Sequence, residues 1–229
     1  MREQGLYVAI DGSDAVGKSS QVPLVTEALI QAGVNPVIEV NEFSDSPVGE
    51  LIKSILSNQR FYSLTPDKST PIADTALILA DLAFQIETSI FPTIEEGGIA
   101  VCDRGPASLV AYQGLRIKER SAIIEQSTAI DWTKVLSQHC LLAPDLTVLL
   151  QIDENEKIER IIKRGESKPT EKDLLFLRQV DDLLEKAAKE TSKEVVIIDG
   201  NKNLDTVSQE IFKSIIKIYK ALPNNVKVD

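Results

Sequence analysis

The sequence contains few of the residues that build metal centres and disulfide frameworks. Among its 229 residues there are two cysteines, Cys102 and Cys140, and one histidine, His139. Two thiols are too few for a disulfide framework, so we interpret them as buried thiols of a reducing compartment and expect a cytoplasmic protein. Because no histidine and cysteine cluster exists in the sequence, we expect no structural zinc site.

Positive charge is scarce as well, with 25 Lys and Arg against 35 Asp and Glu and a net charge of −10. Such a surface repels polymers of nucleic acid and anionic membranes, so we expect neither as a partner. Small nucleotides remain compatible with it, because a local basic pocket can act inside an acidic shell. The sequence has no unbroken apolar run of about eighteen residues and almost no chain before its first apolar segment, which predicts neither a membrane span nor a signal peptide.

The strongest motif is a glycine-rich loop between an apolar segment, Leu6–Ile10, and a helical pattern. It has the form G-x-x-x-x-G-K-S, and this strand–loop–helix context is typical of phosphate-binding loops. The glycines permit backbone angles with which the loop N–H groups surround an anion, at the positive end of the following helix. We expect Lys18 to reach the β- and γ-phosphates of a nucleoside triphosphate and Ser19 to hold Mg²⁺. The predicted ATP site is Gly12, Ser13, Asp14, Ala15, Val16, Gly17, Lys18, Ser19 and Ser20.

Apolar segments alternate with helical patterns along the whole chain, which favours a single α/β domain over residues 1–229. Five parallel strands with helices on both faces would place a ligand at the carboxyl ends of the strands. Four acidic residues, Asp11, Glu42, Asp103 and Asp153, follow such ends. The predicted strands are Leu6–Ile10, Pro36–Val40, Ile99–Cys102, Leu146–Ile152 and Val195–Ile198.

Two further groups of residues suit phosphate chemistry. Asp103 follows an apolar strand and can hold Mg²⁺ beside Ser19, while Arg104 offers a fork that matches a phosphate; the alternative is a surface salt bridge. Basic residues of a flap, or LID, over about residues 153–172 would cover the triphosphate and neutralise charge during transfer. They are Arg160, Arg164 and Lys168, and the alternative is a solvated face among neighbouring glutamates.

Taken together, these segments resemble the thymidylate kinase family of nucleoside monophosphate kinases, with the P-loop NTPase fold, over nearly the whole chain. The phosphate loop supports this with Asp14 and Gly17–Gln21, and Glu42 with Pro47–Glu50 falls where the family has R-E-P-G-G-T-P-x-G-E. The most specific match is Asp103-Arg104 through Ser108 to Ala111-Tyr112-Gln113-Gly114, against D-R-Y-x-x-S-x-x-A-Y-Q-G.

The resemblance implies a role for each matching residue. Lys18 would hold ATP, Ser19 and Asp103 the metal, and Arg104 the phosphate of the acceptor. Ser108, Tyr112 and Gln113 would face the base and sugar of the acceptor, and Tyr112 would crowd a ribose 2′-OH. Asp14 would lie near the sugar and phosphate, and Glu42 and Ile78 would complete the acceptor site. Some members carry a catalytic arginine at the position of Ala15, so the flap cations would act in its place.

Five departures lie on the acceptor side. In one of them, Phe43-Ser44-Asp45 replaces the family's P-G-G. Ile78 replaces a phenylalanine that stacks on thymine, Leu82 replaces an arginine that grips the monophosphate, Asn41 replaces the arginine before Glu42, and Gly105 replaces a tyrosine. Loss of a stacking ring costs about 1–3 kcal/mol and loss of an arginine to a phosphate about 2–5 kcal/mol. Another basic residue, such as Arg60, would have to compensate, or the acceptor differs.

The leading hypothesis is therefore an ATP-dependent kinase of a deoxynucleoside monophosphate. The favoured acceptor is dTMP, and the expected cofactors are ATP and Mg²⁺. A kinase of another nucleotide or of a nucleoside, and an ATP-binding protein without transfer activity, remain as alternatives. The resemblance also allows a homodimer in which the first helix and the long helix from Ile72 present a two-fold face, although core packing explains the same residues.

Overall fold

The computed structural model describes residues 5–56 and 70–222. Its centre is one five-stranded sheet in the order β2-β3-β1-β4-β5, with every neighbouring pair parallel. The prediction of five parallel strands is confirmed. The strands are β1 Leu6–Asp11, β2 Val37–Val40, β3 Ile99–Asp103, β4 Leu146–Gln151 and β5 Glu194–Asp199.

Helices cover both faces of the sheet, which is why the central strands are apolar on both sides. On one face, alternate residues of β1 such as Val8 and Ile10 pack with Leu29 of α1 and Ile211 of α10. The α-helices of the described chain are α1 Lys18–Gln31, α2 Pro47–Leu56, α3 Pro71–Gln85, α4 Phe91–Glu95, α5 Pro106–Ser108, α6 Gly114–Arg120, α7 Ala129–Cys140, α8 Glu154–Lys163, α9 Glu171–Thr191 and α10 Leu204–Lys220.

Two π-helical segments interrupt this pattern. Ile86–Ile90 joins α3 to α4, and Leu109–Gln113 joins α5 to α6. The sequence, rich in Ala and Leu here, predicts a long helix from about Ile72 to Phe91. The helical path instead continues to Glu95, with the π-helical segment directly before α4 and its Pro92.

Helix α9 begins at Glu171. Thr170 caps it by accepting a hydrogen bond from the Asp173 N–H, while the Asp173 carboxylate accepts one from the Thr170 N–H at 2.9 Å. This capping box satisfies two backbone donors and fixes where the flap region ends.

Within the described residues one helical stretch, Pro71–Glu95, has the length and composition to cross a membrane, with a mean hydropathy of 1.4. Two of its side chains argue for packing inside the protein, because Asp74 and Asp81 are both buried. Asp74 pairs with Arg116 of α6, and Asp81 accepts hydrogen bonds from Ser44. The absence of a membrane span stays a prediction.

Candidate active site

The carboxyl ends of β1 and β3 lie side by side at the middle of the sheet, since Ile10 is paired with Asp103. The glycine-rich loop leaves β1 there, and Asp103-Arg104 leaves β3. Gly12 and Gly17 adopt φ values of 145° and 105°. A Cβ on Gly12 would lie 2.6 Å from the carbonyl oxygen of Leu150, so only glycine fits there. The predicted strand–loop–helix geometry is therefore present.

Lys18 begins α1 and is buried beneath the loop. Its ammonium group donates a hydrogen bond to the carbonyl oxygen of Ser13 at 2.8 Å. Burial, followed by the nearby positive charge of Arg104, lowers the pKa of Lys18 from 10.5 to about 8. Bound phosphates would reverse this shift, because an opposite charge favours the protonated amine.

Ser19 and Asp103 form a pair of oxygen groups at the next position of the loop. The Ser19 hydroxyl donates to Asp103 Oδ2 at 2.5 Å. The other carboxylate oxygen, Oδ1, is buried and has no hydrogen-bond partner in the described part of the chain. A hydroxyl and a free carboxylate oxygen fit Mg²⁺, which takes few protein ligands and completes its shell with water and phosphates.

Arg104 is held between two carboxylates. Its Nε lies 2.7 Å from Glu42 Oε1, and its Nη2 donates to Asp14 Oδ1 at 2.9 Å. Tyr112 donates its hydroxyl to the same Asp14 oxygen, and its ring lies 5.0 Å below the guanidinium. Burial opposes the charge of Arg104, but Glu42 and the other acidic neighbours raise its pKa well above its usual value. Arg104 thus stays charged, with Asp14 and Glu42 as counter-ions.

The pKa values of these two carboxyls move in opposite directions. Burial raises the pKa of Glu42 above its usual 4.5, only partly offset by Arg104 and Lys18. Burial acts in the same sense on Asp14, but Arg104 and then Lys18 outweigh it and lower its pKa below 3.8. Asp14 is therefore the firmer counter-ion of Arg104.

Arg104 also reaches the phosphate loop. Its Nη1 donates to the carbonyl oxygen of Gly12 at 3.0 Å and to Ser108 Oγ at 3.1 Å. The Ser108 hydroxyl in turn donates to Asp11 Oδ1 at 2.6 Å. Ser108 is predicted to face the acceptor; its hydroxyl is engaged with Arg104 and Asp11.

A cavity opens from Arg104 toward α3 and α6 and encloses about 640 Å³, counted with the solvent at its mouth. Gln113 is buried there, and its Oε1 has no partner among the described residues, so a donor on a ligand would satisfy it. The structure brings all the predicted acceptor residues to this cavity. Its lining is Asp14, Glu42, Phe43, Leu56, Ile78, Leu82, Arg104, Gly105, Ser108, Leu109, Tyr112, Gln113 and Arg116.

The apolar side of this cavity contains the replaced positions. Ile78 and Leu82 both line it, so the family's aromatic ring and arginine are absent from this wall. Arg60, named as a substitute, lies outside the described residues.

Sequence reasoning missed Arg116, which also lines the cavity and lies 3.8 Å from Asp74. Its position three residues after Gln113, on the same face of the helix, is the signal that would have found it.

Asp81 is a second residue that sequence reasoning missed. It is buried in α3 and accepts from the Ser44 N–H at 3.0 Å, the Ser44 hydroxyl, the Ser46 hydroxyl at 3.2 Å and Gln85 Nε2 at 3.1 Å. These bonds anchor the loop that carries Glu42. Of the two serines, Ser44 stands where the family pattern has a glycine and Ser46 where it has a threonine.

The three flap cations lie in different places. Arg160 donates to the carbonyl oxygens of Val16 at 3.2 Å and Gly200 at 2.9 Å, so it spans the back of the phosphate loop. Arg164 lines both the cavity beside Arg160 and a smaller one that contains Lys18 and Arg104. Lys168 is exposed and lines none of these three cavities.

The chain is similar to known proteins over most of its length. The family model described as thymidylate kinase matches residues 10–211. A probable thymidylate kinase of Methanosarcina barkeri is 30% identical over 93% of this chain and 97% of that protein. One from Methanococcoides burtonii is 29% identical over 95% of this chain and 100% of that protein.

Among solved structures, thymidylate kinase from Ehrlichia chaffeensis has the same fold, with a TM-score of 0.65 at 20% identity. The similarity covers 92% of this chain and 98% of that one. The family match over most of the chain and the full-length relatives lead to one conclusion: this chain belongs to the thymidylate kinase family.

Proposed function

We propose that this protein transfers the γ-phosphoryl group of ATP to the phosphate of dTMP and releases dTDP and ADP. The observation that carries the proposal is the position of Arg104. One guanidinium touches the first residue of the phosphate loop, Gly12, and lines the acceptor cavity. A donor phosphate and an acceptor phosphate bound on either side of it would therefore meet.

On the donor side, the loop residues Gly12–Ser20 would surround the triphosphate with their N–H groups. Lys18 would leave the carbonyl of Ser13 and pair with the β- and γ-phosphates. The cavity beside Arg160 lies behind the loop, between Val16 and Leu204, and is the proposed adenine site. Ser19 and Asp103 would hold Mg²⁺, which supplies positive charge to the phosphate oxygens.

On the acceptor side, Arg104 would bind the monophosphate, with Asp14 and Tyr112 fixing its orientation. Gln113 would bond the polar edge of the base through its buried amide. Tyr112 would crowd a 2′-hydroxyl and favour a deoxy sugar. Glu42 and Ser108 would support Arg104 from the other side.

The reaction would be an in-line displacement. An oxygen of the dTMP phosphate attacks the γ-phosphorus of ATP, a new P–O bond forms, and the bond to the β-phosphate oxygen breaks as ADP leaves. The acceptor phosphate is already anionic near pH 7, so no strong general base is required. Lys18, Arg104 and Arg164 would balance the charge that spreads over the transferred group.

We further propose that residues 153–172 form the LID of a single kinase domain. Arg160 would brace the phosphate loop, Arg164 would approach the transferred group, and Lys168 would reach it only after closure. Closure would exclude water and limit hydrolysis of ATP.

The apolar wall at Ile78 and Leu82 supports a second candidate, a kinase of another nucleotide or of a nucleoside. Without a ring or an arginine at that wall, the described cavity offers less to thymine than the family pattern does. Turnover measured with a panel of ribo- and deoxynucleotides and nucleosides separates this candidate from dTMP phosphorylation.

We also propose a homodimer that acts in the cytoplasm without nucleic acid or membrane partners. The homodimer is supported by three exposed apolar side chains, Leu51 on α2, Phe84 on α3 and Phe91 on α4. Light scattering coupled to size exclusion, on the wild type and on Phe84→Ser, tests whether the protein is a dimer in solution.

The decisive assay measures ADP release and dTDP formation from ATP with and without dTMP. The expected result is one dTDP for each ADP, and loss of both products in Lys18→Ala. Lys189→Ala is the matched control, because Lys189 is an exposed lysine paired with Glu185 on α9. Unchanged turnover in Lys18→Ala would contradict the assigned donor site.

A further inference from the structure

Asp11 is a buried carboxylate that the proposed reaction does not use. It is the last residue of β1 and has no solvent exposure. It accepts hydrogen bonds from the Gly12 N–H at 2.8 Å, the Ser108 hydroxyl at 2.6 Å and the Ser108 N–H at 3.3 Å. A buried carboxylate is costly unless hydrogen bonds stabilise it, and three donors do so here.

The three bonds belong to a closed ring of contacts. The Ser108 hydroxyl donates a hydrogen bond to Asp11 and accepts one from Arg104 Nη1. The same Nη1 donates to the carbonyl oxygen of Gly12, and the N–H of Gly12 donates to Asp11, which closes the ring. The ring therefore includes the start of the phosphate loop, the start of the helical segment after β3, and the arginine between them. A displacement of one member alters the hydrogen bonds of the others.

The backbone of Arg104 makes this side-chain support necessary. Its φ of 77° lies in the left-handed region, which a residue with a side chain adopts at some cost. Its N–H is fixed to the carbonyl oxygen of Ile10 at 2.9 Å, so the start of the side chain is set by β1. The direction of the long Arg104 side chain then depends on the groups that its guanidinium contacts.

Asp11 also makes Ser108 a better acceptor. A hydroxyl that donates to a carboxylate is polarised, and its oxygen lone pairs then accept more strongly from a guanidinium. The negative charge of Asp11 acts on Arg104 as well, since it is one of the charges that raise the pKa of Arg104, after Glu42, Tyr112 and Asp14.

We infer that Asp11 is a positioning residue for phosphoryl transfer: through Ser108 it sets the direction of the Arg104 guanidinium toward the acceptor phosphate and keeps it in register with the donor loop. This inference rests on the proposed function, because it assumes that Arg104 binds the acceptor. Asp11 itself touches neither substrate.

Asp11→Asn tests the inference with almost no change of volume. An asparagine presents an N–H₂ to one of the three donors that now face Asp11, so the ring opens at Ser108 or at Gly12. Ser108→Ala breaks the same ring one step later, and Ser108→Thr keeps the hydroxyl. Asp182→Asn, an exposed aspartate on α9, is the matched control.

The expected result is a KM for dTMP that rises about tenfold in Asp11→Asn and in Ser108→Ala, a difference of about 1.4 kcal/mol, with the KM for ATP within about twofold. Ser108→Thr should restore the KM for dTMP. The double variant should be no worse than Asp11→Asn alone, because both changes break one chain of contacts. Thermal unfolding followed by circular dichroism shows whether each variant folds.

Three outcomes would overturn the inference. Unchanged dTMP kinetics in Asp11→Asn or Ser108→Ala would remove the link to the acceptor. An equal rise of both KM values, or effects that multiply in the double variant, would indicate a general structural role. If the wild-type protein neither phosphorylated nor bound dTMP, that result would contradict the proposed function itself and also the inference that rests on it.

Discussion

The lowered pKa of Lys18 makes kcat/KM for ATP depend on pH in a range where a lysine with the ordinary pKa of 10.5 would have no effect. Phosphate binding needs the protonated amine, and in the free enzyme burial and Arg104 bring its pKa to about 8. The protonated fraction is then about 0.9 at pH 7 and about 0.1 at pH 9. Since kcat/KM reports the free enzyme, kcat/KM for ATP should fall about tenfold between pH 7 and pH 9.

Other groups at the site should not produce this fall. The last ionisation of a phosphate lies at about pH 6, below the range in question. Burial raises the pKa of Tyr112 well above 10, so its hydroxyl stays protonated. The pKa of Asp14 is lowered by Arg104 and Lys18 against its burial, so its carboxylate adds no alkaline step.

The assay is the initial rate of ADP release at low ATP and saturating dTMP, from pH 6.5 to 9.5 at constant ionic strength. Lys18→Arg serves as the control, because guanidinium stays charged over this range and should flatten the alkaline side. The rate at saturating ATP should fall less, since bound phosphates raise the pKa of Lys18. A flat kcat/KM for ATP up to pH 9 would refute the view that Lys18 is buried and partly deprotonated.

Three further changes follow from the same geometry. Asp103→Asn should raise the Mg²⁺ concentration for half-maximal turnover at least about tenfold, measured by metal titration at fixed ATP, because the free Oδ1 loses its charge. Ile78→Phe should lower the KM for dTMP by about fivefold to about 150-fold by returning a stacking ring of about 1–3 kcal/mol, and unchanged affinity in calorimetry would count against the assigned base site. Asp81→Ala should lower the free energy of unfolding by about 1–3 kcal/mol in urea titrations, because it leaves the Ser44 and Ser46 donors without their buried acceptor.

The sheet and the phosphate loop were predictable because local signals set them. Continuous apolar segments such as Leu6–Ile10 predict buried strands, and the spacing of Gly12 and Gly17 before Lys18 predicts the loop. Parallel strands then bring Asp11 and Asp103 to one edge without further information. The likeness to the thymidylate kinase family, stated from short motifs, is confirmed by the family match.

The hydrogen-bond partners at the site were not predictable in the same way. Arg104 forms an ion pair with Glu42 and donates hydrogen bonds to Asp14 and Gly12. This arrangement depends on a φ of 77° and on contacts between residues up to 92 positions apart. Nothing local marks Asp81 as the anchor of the loop around Ser44. The roles assigned to individual site residues and the single LID-bearing domain stay predictions.

The fold shows the surroundings of the residues that depart from the family pattern. Gly105 replaces a tyrosine, and a Cβ there would lie 2.8 Å from that of Ala9, so the segment after Arg104 lies close against β1. Ile78 and Leu82 do line the acceptor cavity, as their alignment predicts. Sequence alone identifies such substitutions, but their effect on affinity depends on neighbours such as Arg116.

Binding of a bisubstrate nucleotide, adenosine joined to thymidine through a chain of phosphates, tests most directly whether the two sites meet at Arg104. Calorimetry should give one equivalent bound per chain, with displacement by ATP and by dTMP alike, and Arg104→Met should weaken it while Lys189→Ala should not. A ligand that competes with ATP but binds equally well in the presence of excess dTMP would contradict the adjacency of donor and acceptor phosphates.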